Sequence, residues 1–274
     1  MKKVVSFSGG RTSARLVLMC LSIYGKENVD VVYMDTGAEH PLTYKFINDL
    51  VNVFGVSVTC LRGNFDQPLG VGVGYNVVEL SNCKFDLVPF KAMMKKYGVP
   101  YIGGMFCTDR MKLTPYKKYC DEKYGKKNYE TILGIRADEP ARLRYRPFIS
   151  YLADICDDEK QDILNWWKEQ VFDLEIDEWL GNCVFCPKKS NLKLAAAQRD
   201  EPELYQEWLD MLYSDSVRVD DNTGHYSKMY RGNQSLESLI ATFDGSTCQE
   251  IKARIRGTKS LDTNSCSESC EVFQ

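Results

Sequence analysis

The first two dozen residues constrain the fold of this chain more than any other stretch. A short apolar run from Val4 to Phe7 has the length of a buried strand, and the apolar spacing from Ala14 to Tyr24 is typical of a helix packed on a sheet. The connection between them contains two glycines. Glycine lets backbone N–H groups approach an oxyanion closely, and the unpaired amides of a first helical turn add their dipole. The stretch therefore predicts a strand, a phosphate-binding loop and a helix.

The loop itself reads SGGRTS, from Ser8 to Ser13. An ordinary capped turn would explain one glycine and one hydroxyl, but not two glycines with three hydroxyls and an arginine. The loop lacks the Gly-Lys-Ser/Thr end of a Walker loop and the third glycine of the dinucleotide fingerprint. We expect the phosphate-binding residues to be Ser8, Gly9, Gly10, Arg11, Thr12 and Ser13.

Apolar runs and helical spacings alternate through the next part of the chain. The runs predict strands at 29–34, 56–61 and 129–135, and the spacings predict helices at 41–54 and 85–97. Residues 62–81, which include four glycines, predict an irregular surface segment or lid. Strands alternating with helices predict an α/β fold with a doubly wound, mostly parallel sheet in residues 1–150. Residues 151–274 are expected to form a smaller, mainly helical region.

Asp35 and Thr36 directly follow the predicted strand 29–34. Ligands of open parallel sheets bind at the carboxyl ends of the strands, so we expect both residues to face the same crevice as the phosphate loop. The alternative for Asp35 is an ordinary turn former at a strand end. His40 precedes Pro41 and has no evident acid–base partner, which favours a helix-start residue over a catalyst.

Gly134 and Arg136 occupy the corresponding place at the end of the run 129–135. Arg136 is the first candidate for a phosphate or sulfate clamp and Arg142 the second. Nearby acidic residues would position these arginines or hold a metal ion, and the alternative is a loop with surface salt bridges. The acidic residues are Asp138 and Glu139.

The composition limits the function classes. The net charge of −3 gives no global attraction for nucleic acid, so such a partner must meet a local patch. No apolar run approaches membrane length and no signal peptide is evident, so we expect a cytoplasmic protein without a membrane partner. Eleven cysteines are many for a reducing compartment, which favours metal or redox chemistry where they cluster. Three lie among apolar or aromatic neighbours and are expected to be inert core residues: Cys20, Cys60 and Cys120.

Cys183 and Cys186 form a Cys-x-x-Cys pair, whose length lets two sulfurs reach one metal ion or cluster. A thioredoxin-type pair is disfavoured because the motif does not open a helix after a first strand. Zinc would require Cys107 and one further ligand, and an iron–sulfur cluster requires the same number or leaves one iron open. Cys107 precedes a predicted helix, where the dipole stabilises a thiolate. Lys112 on the next turn either reaches a phosphate or is a solvated lysine.

Two groups of basic residues lie in the second half of the chain. Solvated helix faces are the default interpretation, and contact with a nucleic-acid backbone is the alternative. The first group is Lys188, Lys189, Lys193 and Arg199, and the second is Lys252, Arg254, Arg256 and Lys259.

Several of these motifs resemble one family. The SGGRTS loop resembles the PP-loop of the adenine nucleotide alpha hydrolases, with Thr12 where that superfamily has Asp. The block from Asp35 to Phe46 is similar to the Asp-Thr-Gly-x-Glu-x-Pro block of phosphoadenosine phosphosulfate (PAPS) reductases. Cys107-Thr-x-x-x-Lys112-x-x-Pro, Gly134-x-Arg136-x-x-Glu and Gly-x-Cys183-x-x-Cys186 resemble its later blocks, in the iron–sulfur branch.

The resemblance implies cofactors. An adenine nucleotide, ATP or PAPS/APS, would bind with its phosphates on the loop and its adenosine near Asp35, with Mg²⁺ as a further possibility. A 4Fe–4S cluster would be held by Cys107, Cys183 and Cys186, and zinc is the alternative metal. The fourth ligand is open, since the tail offers both Cys266 and Cys270.

Three functions remain open from the sequence. In the first, an enzyme adenylates a nucleic acid or small metabolite and then transfers sulfur from a donor, with Arg136 and Lys112 acting on the phosphates. In the second, a sulfonucleotide reductase uses Cys270 or Cys266 as nucleophile and a thioredoxin-like reductant. The Glu-Cys-Gly-Leu-His motif of PAPS reductases is missing from the tail. In the third, a non-catalytic nucleotide- or nucleic-acid-binding module uses zinc as a structural staple.

Overall fold

A computed structural model of the chain describes residues 1–219 and 230–257. The described part contains one sheet with the strand order β4-β3-β2-β1-β5-β6, in which only the pairing of β3 with β4 is antiparallel. The predicted α/β fold with a mostly parallel sheet is confirmed. The strands are β1 (Lys2–Phe7), β2 (Val29–Met34), β3 (Val58–Asn64), β4 (Gly74–Val78), β5 (Tyr129–Leu133) and β6 (Ile149–Tyr151).

Helices flank the sheet and are the main regular structure of the described C-terminal region, as predicted. Those before residue 150 are α1 (Arg11–Tyr24), α2 (Pro41–Phe54), α3 (Val88–Tyr97) and α4 (Thr114–Tyr124). Those after residue 150 are α5 (Lys160–Lys168), α6 (Asn191–Asp200), α7 (Pro202–Leu212), α8 (Leu236–Ala241) and α9 (Cys248–Gly257). Within the described ranges, none of these helices combines the length and the apolar character that a membrane crossing requires.

β1 lies in the middle of the sheet and determines where the site forms. Val5 pairs with Val31 of β2 on one side and with Ile132 of β5 on the other, and all three side chains are buried. Strands covered on both faces read as continuous apolar runs, which is why the sequence predicts them. Because β1, β2 and β5 are parallel, the segments that follow them emerge at the same edge of the sheet.

Two strands and one helix differ from the sequence prediction. β4 lies in the segment predicted to be irregular, and β6 is only three residues long. Both are edge strands with weak apolar patterns, and Val77 of β4 is 61% exposed. The third difference lies in the region expected to be mainly helical, where residues 169–180 contain only a 3₁₀ turn, Glu178–Leu180.

One hydrophobic cluster joins the sheet domain to the C-terminal helices. It contains Ala38, Phe90 and Met111 from the first part of the chain together with Val184 and Trp208 from the second. The domain boundary near residue 150 stays a prediction, and this shared core shows that the two parts are packed on each other.

Trp167 anchors α5 on the phosphate-loop side of the sheet. Its side chain is completely buried, its indole N–H donates to the Arg11 carbonyl at 2.9 Å, and its ring lies 4.8 Å from that of Phe46. We expect Trp167→Ala to lower the free energy of unfolding by about 3–5 kcal/mol, because truncation leaves a large cavity. Urea denaturation measures the change. Val171→Ala, at an 84% exposed position, is the control and should change stability by less than about 0.5 kcal/mol.

Candidate functional site

The loop between β1 and α1 adopts a closed, glycine-dependent conformation. Gly9 has a φ of +80°, and a Cβ there would lie 3.1 Å from both Thr43 and Ile47 of α2. The Ser13 hydroxyl accepts from the Ser8 N–H at 3.2 Å and donates to the Gly10 carbonyl at 3.0 Å. The predicted phosphate loop is therefore fixed by its own hydroxyl groups and by close packing on α2.

Arg136 reaches this loop from the end of β5. Its Nη1 atom lies 3.4 Å from Thr12 Oγ1, and its Nε atom lies 2.7 Å from Asp138 Oδ1. Glu139 lies 3.5 Å from Nη1 and also pairs with Arg142. The structure thus brings Arg136 to the phosphate loop and pairs the two acidic residues with the arginines. The role of these arginines as a phosphate or sulfate clamp stays a prediction.

Arg11 points elsewhere in this structure. Its guanidinium forms a bidentate pair with Asp173, with distances of 2.6 Å and 3.1 Å, and it also donates to the Leu174 carbonyl. The Arg11 side chain therefore ties the phosphate loop to the segment after α5. Direct contact of Arg11 with a phosphate stays a prediction, and it would require this pair to open.

Asp35 is buried at the end of β2 and is surrounded by donors. It accepts from the Gly37 N–H at 2.9 Å, the Tyr44 hydroxyl at 2.9 Å and Arg62 Nε at 2.7 Å. Burial and the neighbouring Glu39 carboxylate raise the pKa of Asp35, and Arg62 opposes that rise. The turn that Asp35 organises then places Thr36 and Glu39 toward the cysteines.

Glu39 is the residue that sequence reasoning missed. Its side chain is 2% exposed, and the Thr36 hydroxyl donates to its two oxygens at 2.8 Å and 2.7 Å. Lys112 Nζ lies 3.7 Å and Cys183 Sγ 3.9 Å from Glu39 Oε1. The sequence did point to Glu39, because it is the Glu of the Asp-Thr-Gly-x-Glu block. Its charge partner is not visible in the local sequence.

Cys107, Cys183 and Cys186 line one narrow cavity. Cys107 stands where a π-helical turn, Thr108–Leu113, begins, and this turn also carries Lys112 into the cavity wall. π-helical turns are frequent at functional sites. The remaining lining residues are Thr36, Phe90, Thr108, Met111 and Pro187.

The backbone joins the cysteine loop to the turn after β2. Glu39 and Cys183 form an antiparallel bridge, and the Val184 N–H donates to the Ala38 carbonyl at 3.0 Å. As a result, Cys183 Sγ lies 3.6 Å from the Thr36 hydroxyl. Over residues 1–219 and 230–257, no three His, Cys, Asp or Glu side chains are arranged to hold a single metal ion.

Two buried hydrogen-bond donors lie beside the cysteines. The Tyr230 hydroxyl and the Trp208 indole N–H belong to side chains that are each 1% exposed. The indole N–H lies beside the Tyr230 oxygen, and within the described part of the chain neither atom makes a well-aligned hydrogen bond. Burial raises the pKa of Tyr230, and the Cys186, Cys183 and Cys107 thiols contribute to the rise. A buried donor without a partner is unfavourable by about 1–3 kcal/mol, so the Tyr230 hydroxyl indicates an acceptor at this place.

Cys266 and Cys270 lie outside the described residues, so their proposed roles as ligand or nucleophile stay predictions. Lys259 lies there as well.

His40 is the N-cap of α2: its Nδ1 accepts from the Leu42 N–H, and its Nε2 lies 3.0 Å from Glu201. The prediction of a helix-start residue is therefore confirmed.

The basic residues beside the cysteine pair do not form a solvated face. Lys189 is completely buried and donates to the Trp179 and Val184 carbonyls, and Lys193 is 1% exposed and pairs with Glu178 at 3.2 Å. Both interpretations of these two lysines, a solvated face and a nucleic-acid contact, were wrong. The lysines instead hold the turns around Cys183 and Cys186 in place, since a buried ammonium group requires such acceptors.

Cys20, Cys60 and Cys120 are buried, as expected of core residues. Burial raises the pKa of the Cys20 and Cys120 thiols to about 12. Because the thiolate is the reactive form, we expect iodoacetamide at pH 8 to leave both unmodified in the native protein and to label them after unfolding. Mass spectrometry of the peptides measures this, and half-buried Cys248 is the internal comparison. Labelling of Cys20 as fast as Cys248 would contradict the prediction.

Gly9→Ala tests the packing of the phosphate loop. We expect it to lower the free energy of unfolding by roughly 1–3 kcal/mol for the left-handed backbone, and further because the new Cβ crowds α2. Gly70→Ala is the matched control, since Gly70 has a φ of +93° but no atom within 4 Å of a built Cβ. Chemical denaturation compares the two variants. Equal losses would show that packing on α2 contributes nothing.

A family model and several proteins of other organisms match this chain. The family model "Phosphoadenosine phosphosulfate reductase domain" matches residues 2–67, which contain the phosphate loop and the turn after β2. The chain is 46% identical over 277 residues to the uncharacterized nin region protein ORF290 of Escherichia phage lambda, covering 100% of this chain and 96% of that protein. It is 24% identical to two uncharacterized proteins of Methanocaldococcus jannaschii, MJ0066 and MJ0973. Each match covers 76% of this chain, and 41% and 46% of those proteins.

Proposed function

Because this chain belongs to the PAPS reductase-like family of PP-loop proteins, we propose that it adenylates a substrate with ATP and then transfers sulfur to it. One observation carries the proposal: the backbone bridge between Glu39 and Cys183 places a thiol beside the turn that follows β2. That turn emerges at the same sheet edge as the phosphate loop. Nucleotide chemistry and sulfur chemistry would therefore share one crevice.

The adenylation step uses residues at the ends of β1 and β5. The loop from Ser8 to Ser13 would bind the phosphates through its backbone amides, and Arg136 would contact them beside Thr12. A substrate oxygen attacks the α phosphorus of ATP and forms a P–O bond. The bond from that phosphorus to the bridging oxygen breaks, and pyrophosphate leaves with the electron pair. Arg136 would stabilise the negative charge that develops in this step.

Displacement completes the reaction. A sulfide nucleophile from a donor forms a bond to the activated atom of the substrate, the bond to the adenylate oxygen breaks, and AMP leaves. Lys112 lies on the cavity wall and pairs with Glu39 at 3.7 Å. Its positive charge would favour the approach of an anionic sulfur and the departure of the phosphate.

We infer that the cavity binds an iron–sulfur cluster, because its lining supplies the ligand type that such clusters need. Thiolates are the usual ligands of such clusters, and Cys107, Cys183 and Cys186 line the same cavity. The Tyr230 hydroxyl makes no well-aligned hydrogen bond among the described residues, and sulfide or thiolate sulfur would accept from it. When bound, the cluster would supply an iron with a position open to sulfur. Zinc held here instead would need a fourth ligand.

Arg136→Lys tests the adenylation step. We expect the variant to form AMP and pyrophosphate from ATP roughly 100- to 1,000-fold more slowly, the loss typical of removing one oriented donor to a developing charge. Lysine keeps the charge but loses the planar fork that now meets both Asp138 and Thr12. Release of labelled pyrophosphate, with a cell extract as the source of acceptor, measures the rate.

Lys45→Ala is the control for that experiment, because Lys45 pairs with Asp49 on the solvent face of α2. Its rate should equal that of the unaltered protein. An unaltered protein that forms no AMP from ATP but releases sulfite from PAPS would refute adenylation and favour the sulfonucleotide reductase.

Cys183→Ala tests the metal site. After anaerobic purification we expect the variant to lose most of its iron and acid-labile sulfide, since one of three sulfur ligands is removed. Cys156→Ala is the matched control, because Cys156 is half-buried and lies 4.0 Å from Met19, away from the cavity lining. A colourless unaltered protein that contains zinc would refute the cluster and support the structural-zinc alternative.

A further inference from the structure

The connection between β5 and β6 presents an aromatic side chain that the fold does not use. Tyr145 is 93% exposed, the largest value among the exposed large hydrophobic side chains that the structure describes, and Phe148 nearby is 43% exposed. Burial of an aromatic ring normally contributes strongly to stability. Two rings left at the surface within four residues therefore offer apolar area that another molecule could cover.

The charge of this segment differs from that of the whole chain. Residues 140–148 read PARLRYRPF and contain three arginines and no acidic residue, whereas the chain carries a net charge of −3. Arg144, directly before Tyr145, is exposed. All three cations are arginines, whose planar guanidinium groups bind phosphate in two-point contacts and stack on rings. Arg142 is paired with Glu139, so the exposed Arg144 is the cation that this segment offers to a polyanion.

Hydrogen bonds hold the segment in one conformation. The Tyr151 hydroxyl donates to the Arg144 carbonyl, the Ile149 N–H to the Arg146 carbonyl at 3.2 Å, and the Thr131 N–H to the Phe148 carbonyl at 2.9 Å. Phe148 has a φ of +63°, which is strained for a residue with a side chain. A preformed platform loses little conformational entropy on binding.

The same connection starts at the nucleotide site. Arg136, which lies 3.4 Å from Thr12 of the phosphate loop, precedes the segment by only a few residues. Arg142 is joined to this corner through Glu139. Because β6 runs parallel to β5, the segment then returns toward the amino end of β5, where Phe148 lies. Only a chain of several units lying on Tyr145 could therefore extend from this segment to the phosphate loop.

We propose that Arg144, Tyr145 and Phe148 form a platform that binds a single-stranded nucleic acid, which is the acceptor of the adenylation. The substrate role depends on the proposed function, whereas the binding itself does not. Unpaired bases expose π faces that stack on Tyr and Phe, and the backbone phosphates meet the arginines. A duplex hides these faces, so single strands are the ligand that this combination fits.

The test measures binding without ATP. Fluorescence anisotropy with labelled 20-nucleotide single strands of mixed sequence, one of RNA and one of DNA, gives the Kd, and a DNA duplex of the same sequence is the comparison. We expect Tyr145→Ala to raise the Kd roughly tenfold or more, the loss of one stacked base, and Tyr145→Phe to keep the affinity. Arg144→Ala should reduce the slope of log affinity against log salt by about 0.7, the value for one phosphate contact on a single strand.

Lys45→Ala controls for a general change of charge and should leave the Kd unchanged. The RNA and DNA arms identify which sugar the platform prefers. The proposal is refuted if neither single strand binds, if the duplex binds equally well, or if Tyr145→Ala binds like the unaltered protein. If the protein turns over ATP but shows no binding that depends on Tyr145, the platform is refuted and adenylation stands without this acceptor. Tyr145-dependent binding without ATP turnover would support the platform and refute the proposed reaction.

Discussion

The short antiparallel bridge between Glu39 and Cys183 is the interaction on which the arrangement of the site depends. It joins the turn after β2 to a loop far along the chain, and the Val184 N–H adds a second backbone bond to the Ala38 carbonyl. Backbone bonds of this kind fix the position of a sulfur without using the side chain that carries it. Buried peptide groups must be paired, so the cysteine loop cannot leave without losing these bonds. The cavity of the three cysteines follows from this attachment.

Buried charges accumulate at the same place, and their pairing explains why the fold tolerates them. Asp35 and Glu39 are both buried at the end of β2, and each carboxylate raises the energy of the other. Arg62 lies against Asp35, Lys112 lies near Glu39, and the Tyr44 hydroxyl donates to both acids. Removing one partner of such a group leaves an uncompensated charge, which is far more unfavourable than loss of an exposed ion pair. Several neighbouring donors and cations together, rather than one strong contact, therefore stabilise the two buried acids.

The sequence predicted those parts of the fold whose causes are local. β1, its loop and α1 are adjacent in the chain, and buried parallel strands carry a continuous apolar signal. β4 and β6 escaped because edge strands are short and half-exposed, so their pattern is weak. The buried state of Lys189 escaped as well, since its acceptors are carbonyls that only the folded loop supplies. The meeting of Cys107 with the later pair was expected from family resemblance alone, because no local pattern encodes a contact between distant segments.

Helix α2 connects the phosphate loop to the cysteine cavity through adjacent residues of its first turns. Thr43 lies where a Cβ on Gly9 would make contact, so this side of the helix sets the path of the phosphate loop. Tyr44, the next residue, donates to Asp35 and to Glu39, and Glu39 lies within 3.9 Å of Cys183 Sγ. Packed interiors transmit small displacements because they are as dense as crystals. A shift of this helix turn therefore changes the phosphate loop and the surroundings of the sulfur together, which gives both halves of the crevice a common mechanical support.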